Sequence, residues 1–248
     1  MSALILALVA GGVVGLALGA LGGGGSVLAV PALIYLLGFT PAEATTASLL
    51  IVTATSLAAL YAHARAGHVR WKAGAAFAAA GVLPAALAGA AAAHLPQAAL
   101  TLAFAGVAAL AAVKMLRPAA AADGNREVRK GRAAGAGAGL GALTGLLGVG
   151  GGFLAVPALV TVLAFEMRAA VGTSLLVITV NSLSSLATRF GAAGSLDWAV
   201  VGPFTAAAVL GAWDGKRLAG KVSGPRLRRV FAFALLAVAA FMLVEAVT

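Results

Sequence analysis

The sequence predicts an all-α, polytopic membrane protein built from two repeats of opposite orientation. Of its 248 residues, 62% are hydrophobic and only 10% are charged, a composition outside the usual range of soluble domains. Uncharged windows such as 45–61 and 74–93 approach the ~20 residues that a helix needs to cross a bilayer. The hexapeptide Leu-Ala-Val-Pro-Ala-Leu at 28–33 returns 126 residues later at 154–159. Internal duplication in an apolar chain is typical of membrane proteins made of two structural repeats.

The duplication extends upstream of the hexapeptide. Each copy follows a glycine-rich break, at 22–25 and at 148–152, and each break follows an apolar segment with a glycine at every fourth position. The matched glycines are Gly11, Gly15 and Gly19 in one copy and Gly137, Gly141 and Gly145 in the other. Small residues at this spacing let helix backbones approach closely in membranes, so we predict that they form packing ridges.

Five helices are predicted in the first half, at 2–21, 26–37, 41–63, 72–93 and 97–117. The first is interpreted as mature structure rather than a signal peptide, because no Lys or Arg precedes it and its counterpart lies in mid-chain. The second follows the glycine break and is short, reaching only ~18 Å as a helix. The last three are long apolar spans.

The second half repeats this order after a polar linker. Its predicted helices lie at 133–148, 153–164, 168–190, 197–215 and 226–247. The predicted division is therefore a first transmembrane repeat at 1–117, a linker at 118–132 and a second transmembrane repeat at 133–248.

The distribution of positive charge decides between two topologies. If each glycine-broken pair were one span, the 17 Lys and Arg residues would divide 10 to 7 between the membrane faces. If each pair instead enters and leaves on the same side, 16 share one face and only Arg189 is opposite. Cytoplasmic segments collect Lys and Arg, so the second arrangement is predicted. It makes the halves inverted, the linker cytoplasmic and both termini external, and it leaves open a re-entrant dip or a short double crossing.

Two glycine breaks that meet near the midplane mark the expected substrate site, since non-helical backbone at membrane depth must line a cavity or be buried in protein. The short helices after the breaks would direct free N–H groups and positive dipole ends toward the bilayer centre, where they can bind an anion. Hydroxyl and amide side chains on the first long span of each half, the helices predicted at 41–63 and 168–190, supplement them. The predicted substrate-binding residues are Gly24, Gly25, Ser26, Thr46, Ser48, Gly150, Gly151, Gly152, Thr173, Ser174 and Asn181.

His63 and Arg189 are matched by the same offset and are predicted to lie at opposite mouths of the path, either drawing anions in or simply reaching toward the surface. Asp214 is expected to form a surface ion pair with a neighbouring cation. The sequence lacks the spacings of a metalloprotease, a phosphate-binding loop or a hydrolase elbow, and it contains no Cys. No catalytic residue, metal, cofactor or nucleic acid partner is expected, and the protein is not predicted to be an enzyme.

At these residues the chain resembles the sulfite exporter TauE/SafE family of membrane transporters. The resemblance rests on 22–33 with Thr45-Thr-Ala-Ser-Leu-Leu50, on 148–159 with Gly172-Thr-Ser-Leu-Leu176, and on the short loops that end in Trp71 and Trp198. It implies transport of sulfite, organosulfonates or related small anions across the bacterial inner membrane. It does not imply a direction of transport.

The predicted function is therefore secondary transport of a small anion by alternating access. An anion channel that uses the same site and a non-transporting membrane scaffold are the alternatives. The expected partners are the anion and the lipid bilayer, while a coupling proton or other ion and a homo-oligomer remain open.

Overall fold

A computed structural model describes residues 2–92, 97–117, 130–147, 152–188 and 196–247. Within these ranges the chain is helical and contains no strand. In order, the helices are α1 (Ser2–Leu21), α2 (Gly24–Pro31), α3 (Pro41–Arg65), α4 (Trp71–Ala92), α5 (Gln97–Leu116), α6 (Lys130–Leu147), α7 (Gly152–Thr161), α8 (Met167–Thr188), α9 (Trp198–Lys221) and α10 (Gly224–Val247). A π-helical segment, Ala32–Leu36, continues α2 after the helix-breaking Pro31. The predicted all-α class is confirmed.

Each predicted helix has a counterpart, and the largest differences lie where charged residues were assigned to loops. α9 runs to Lys221, past the predicted end at 215, and α6 begins at Lys130, inside the predicted linker. Lys and Arg are good helix formers, so a helix can continue beyond its apolar stretch. The division into repeats remains a prediction, and residues 118–129 of the linker lie outside the described ranges.

Three helices of the described chain are long and apolar enough to cross a membrane: Ala3–Leu21, Glu43–Arg65 and Met167–Leu186. Large apolar side chains also cover the outer surface of the bundle. On α1, for example, Ile5 is 58% exposed and Val9 is 61% exposed. A broad apolar surface of this kind is stable in lipid and not in water, as expected of a multi-pass membrane protein.

Local signals set the helix ends. α3 begins with a capping box, in which the Thr40 hydroxyl accepts the Glu43 N–H at 3.4 Å and the Glu43 carboxylate accepts the Thr40 N–H at 3.0 Å. This gives Glu43 a structural role at the helix N-terminus. α9 begins where the Asp197 carboxylate accepts the Ala199 N–H at 3.0 Å.

The segments that follow the two glycine breaks, α2 with its π-helical continuation and α7, are called here the short arms. They end in the same way. The N–H groups of Phe39 and Phe165 each donate to the carbonyl six residues earlier, at 3.1 and 3.0 Å. The residue just before each phenylalanine is left-handed, as is common where a helix ends, and in the first copy it is Gly38 with φ of 72°. In the second copy the residue is Ala164, with φ of 54°. The duplicated fold therefore places one alanine in a conformation that favours glycine.

The glycine ridge of α1 packs on α9, a helix of the other half. A Cβ on Gly15 would overlap the carbonyl oxygen of Ala208, and one on Gly19 would overlap that of Ala212. Because the contacts advance together along both chains, the two helices run parallel. The predicted packing role of these glycines is confirmed.

The glycine ridge of the second half packs in the same way. The ridge of α6 packs on α4, where a Cβ on Gly137 would overlap the Phe77 carbonyl and one on Gly141 would overlap the Gly81 carbonyl. The first helix of each half thus packs on the fourth helix of the other half. Both buried core clusters accordingly contain helices from both halves.

The third helices of the two halves, α3 and α8, pack against each other in opposite directions. α8 begins beside the segment that follows α3: the Arg70 N–H donates to the Thr173 hydroxyl at 3.1 Å, and Gly172 lies against the His68 carbonyl. An antiparallel arrangement of equivalent helices is what an inverted repeat requires.

Candidate functional site

The first glycine break lies against the start of α8. Gly22 ends α1 with φ of 71°, and its N–H donates to the Leu18 carbonyl at 2.8 Å. A Cβ on Gly22 would lie 2.6 Å from the Ser174 hydroxyl oxygen and 3.3 Å from the Val171 carbonyl oxygen. Glycine is therefore required here both by conformation and by the close approach of the second half.

Only some of the residues predicted at the glycine breaks and the mouths belong to the described part of the chain. Gly24, Gly25 and Ser26 form the first turn of α2, and Gly152 is the first residue of α7. Gly150, Gly151 and Arg189 lie outside the described residues.

The predicted hydroxyls lie on the facing helices α3 and α8. Thr46, Ser48, Thr173 and Ser174 are buried, whereas Asn181 is only partly buried. Ser48 donates to the Thr45 carbonyl at 2.9 Å and Ser174 to the Val171 carbonyl at 2.8 Å, as helix-borne Ser commonly does. Of the predicted set, Ser174 is the hydroxyl that the described structure brings against a glycine break.

A polar contact between the halves lies deeper along the same two helices. The hydroxyl oxygens of Thr179 and Ser56 are 3.0 Å apart, and both residues are buried. In an apolar bundle, such a pair holds two helices in a fixed register.

A cavity of about 380 Å³ lies where α3 ends, α8 begins and α9 ends. It is lined by two histidines and four cations, with small or apolar residues between them: Ala20, His63, His68, Arg168, Val171, Lys216, Arg217, Ala219, Gly220, Lys221 and Leu227. Among the residues that the structure describes, no carboxylate belongs to this lining. Ala20 and Val171 bring the cavity to the first glycine break, since Val171 also faces Gly22.

His63 is the most deeply placed polar group of this lining. It is 3% exposed, and its Nε2 lies 3.1 Å from the Gly19 carbonyl oxygen of α1. Since a carbonyl only accepts, Nε2 carries the hydrogen. The other ring nitrogen, Nδ1, is buried and has no hydrogen-bond partner among the described residues.

His68 stands beside it in the loop between α3 and α4, with ring centroids 5.8 Å apart. Its Nδ1 is also buried without a partner in the described structure. Burial first, and then the positive charges of Arg168 and Lys216, lower the pKa of His68, while Glu166 acts in the opposite sense. Both effects favour the neutral form of His68.

Two arginines, of which Arg168 lines the cavity, donate hydrogen bonds to the C-terminal ends of other helices. The Arg168 guanidinium donates to the Gly220 carbonyl at 3.1 Å and to the Val222 carbonyl at 3.2 Å, at the C-terminus of α9. Arg228 does the same for the end of α5, donating to the Arg117 carbonyl at 2.8 Å. Cations are favoured at helix C-termini, so both have a structural role as well as a charge.

One lining cation, Arg217, forms an ion pair at the surface. Asp214 pairs with Arg217 at 3.3 Å, with both side chains more than half exposed, as predicted. No group of three or more His, Cys, Asp or Glu residues in the described ranges could hold a metal ion.

Sequence reasoning missed the cavity, although it selected His63. The other charged lining residues come from positions 68 to 221, and no local motif connects them. The signal that could have found them was the charge sorting, which had already assigned Arg168, Lys216, Arg217 and Lys221 to one membrane face. What it lacked was the lateral position of each helix.

The family profile described as "Sulfite exporter TauE/SafE" matches residues 7–242. A "Probable membrane transporter protein" of Xylella fastidiosa (strain 9a5c) is 36% identical over 97% of this chain and 95% of its own length. A protein with the same description from X. fastidiosa (strain Temecula1 / ATCC 700964) is 34% identical over the same shares. The chain belongs to the sulfite exporter TauE/SafE family. No solved structure gives a significant match to this TauE/SafE protein.

Proposed function

We propose that this multi-pass membrane transporter is a secondary transporter for a small anion of the sulfite or organosulfonate class, and that it works by alternating access. The observation that carries the proposal is the basic cavity between the halves, which adjoins the first glycine break. Cavities between the helices of a bundle are common binding sites for small solutes. With cations and no carboxylate in its lining, that solute is an anion.

The cavity and the glycine break would act in sequence. Side-chain cations such as Lys216 and Lys221 raise the local concentration of anions at the opening. Beyond them, the N-terminus of α2, which has no side-chain cap, offers backbone N–H groups that bind an anion without a fixed charge. Weak binding at depth suits a transporter, because a deeply buried fixed cation would hold the anion too tightly to release it.

The antiparallel packing of α3 and α8 supports the inverted topology, and the charge sorting gives it an orientation with the cavity facing the cytoplasm. The membrane in question is the bacterial inner membrane, as the TauE/SafE resemblance implies. The two halves would rock about α3 and α8 to expose the site alternately.

Topology can be tested with single cysteines, because the chain has none. Lys72 and Ala199 are the second residues of α4 and α9, and both are exposed. Lys72→Cys should react with an impermeant maleimide only from the cytoplasm and Ala199→Cys only from outside. Reaction of both from one side would exclude inverted repeats.

Transport is tested by counterflow of labelled sulfite and sulfoacetate in proteoliposomes. A saturable exchange that unlabelled anion accelerates from the opposite side is expected. Unsaturable flux would instead indicate an anion channel, and absence of flux for every anion would indicate a scaffold.

Replacement of Gly25 or Gly151 by Val should abolish exchange without lowering expression, whereas normal exchange in both would place the site elsewhere.

A further inference from the structure

His63 occupies an unusual chemical position for a residue in a cationic cavity. Its Nε2–H is held by the Gly19 carbonyl, so in the neutral ring the buried Nδ1 presents a lone pair and not a hydrogen. An anion also presents only lone pairs. The neutral ring therefore repels the solute that the rest of the cavity attracts.

Protonation reverses this relation. The imidazolium ring presents an Nδ1–H that can donate a charge-assisted hydrogen bond to an oxyanion, which is stronger than a neutral one. His63 lines the cavity and its Nδ1 has no partner among the described residues, so a ligand that reaches Nδ1 accepts this hydrogen without breaking a bond within the protein.

The surrounding charges make proton uptake depend on the anion. The cavity that His63 lines is also lined by His68 from the following loop, Arg168 from α8, and Lys216, Arg217 and Lys221 from α9, while its lining residues from α1 and α10 are the uncharged Ala20 and Leu227. Of these cations, Arg217 is paired with Asp214. Glu166, the nearby carboxylate, acts on His68. Several like charges oppose an imidazolium in the empty cavity, and a bound anion offsets them.

We infer that His63 is the proton-binding group of this transporter, and that the cavity takes a sulfonate- or sulfite-type oxyanion together with one proton on His63 Nδ1. The proton comes from bulk water through the more exposed His68 and leaves with the anion on the opposite side. No bond to the anion is made or broken. The inference rests on the proposed function and adds its coupling ion.

The position of His63 also connects this proton to the end of α1, next to the first glycine break. Its Nε2–H bond to Gly19 is made three residues before Gly22, where α1 turns. A ring that gains a proton and an anion at Nδ1 is therefore held through Nε2 to α1, three residues before the glycine break.

Sulfoacetate is a suitable probe because its acidic groups stay ionised from pH 6 to 9, which leaves the protein as the source of any pH effect. Binding to the purified wild-type protein should weaken by about tenfold per pH unit on the alkaline side of the His63 titration, the slope for one linked proton. Addition of sulfoacetate to weakly buffered protein should take up one proton per bound anion. Both readouts use the unaltered chain.

His63→Gln retains a donor for the Gly19 carbonyl but cannot be protonated. It should bind sulfoacetate weakly at every pH with a slope near zero, and an acidic exterior should no longer drive accumulation in proteoliposomes. Lys221→Gln is the matched control, because it removes a lining cation and should weaken binding equally at all pH values while the wild-type slope persists.

The outcomes distinguish the proton coupling at His63 from the proposed anion transport. Sulfoacetate counterflow in the wild type with no proton uptake, or with the same pH slope in His63→Gln, overturns the coupling and leaves anion transport standing. Absence of binding and flux for both sulfite and sulfoacetate at every pH overturns the proposed function and the coupling with it.

Discussion

The two halves of this protein share their packing and differ in their charge. α1 on α9 and α6 on α4 use the same glycine ridge, and both short arms end in the same hydrogen bond. The cations of the cavity have no such duplication. The equivalents of Arg168, Lys216, Arg217 and Lys221, 126 residues earlier, are Ala42, Ala90, Ala91 and Leu95.

The proposed inversion would explain this difference. When equivalent residues lie on opposite membrane faces, positive charges favoured on the cytoplasmic face are disfavoured at the equivalent external positions. Backbone packing carries no such preference, because the bilayer core is the same from both sides. An inverted repeat can therefore keep its packing in both copies while its two ends become chemically different.

The largest effect is expected from the shared feature, the glycine ridges. Gly15→Ala and Gly141→Ala each place a Cβ inside a backbone carbonyl of the partner helix, so each should destabilise the fold by about 3 kcal/mol or more. Thermal unfolding followed by fluorescence-detected gel filtration measures this.

Gly12→Ala and Gly139→Ala are the matched controls, because a Cβ at either position meets nothing within 4 Å. They should be neutral or stabilising by up to ~1 kcal/mol, the ordinary gain of Ala over Gly in a helix. Unequal losses for Gly15→Ala and Gly141→Ala would show that the two interfaces are not equivalent.

A smaller effect is expected at Gly22, where the halves meet. Gly22→Ala combines a left-handed backbone with a contact of 2.6 Å to the Ser174 hydroxyl, and should cost about 2 kcal/mol and reduce transport. Ser174→Ala removes that oxygen. The double variant should therefore be more stable than the sum of the single effects by about 1 kcal/mol. Strict additivity in a double-mutant cycle would mean that the two residues do not touch.

The smallest effect compares the ends of the short arms. Ala164→Gly should stabilise the protein by roughly 1 kcal/mol, because Ala164 holds φ of 54° where the first half has Gly38. Gly38→Ala should destabilise it by a similar amount. A melting-temperature shift of the same sign in both variants would contradict the equivalence of the two arms.

Much of the fold followed from local sequence. The offset of 126 residues, the glycine spacing and the uncharged windows predicted the ten helices and their order, because a bilayer requires long apolar helices and penalises everything else. Errors came where charge extends a helix, as at Lys216 to Lys221 in α9. Apolar periodicity does not show where a helix ends once the helix continues into charged sequence.

The candidate site was less accessible to prediction. Ser174 was selected for its hydroxyl, but its position beside Gly22 depends on how α8 packs against the end of α1. His63 was selected by the repeat, yet its free Nδ1 and its neighbour His68 become meaningful only when α9 supplies the surrounding cations.

The sequence by itself determined that this is a duplicated helical membrane protein of the TauE/SafE family, because hydrophobicity, repetition and motif order are properties of the chain. Only the tertiary structure decided that each half lends its fourth helix to the other and that six basic side chains surround one cavity. Those facts depend on which helices become neighbours. Neighbours are selected by surface shape, and above all by the glycines that let two backbones approach.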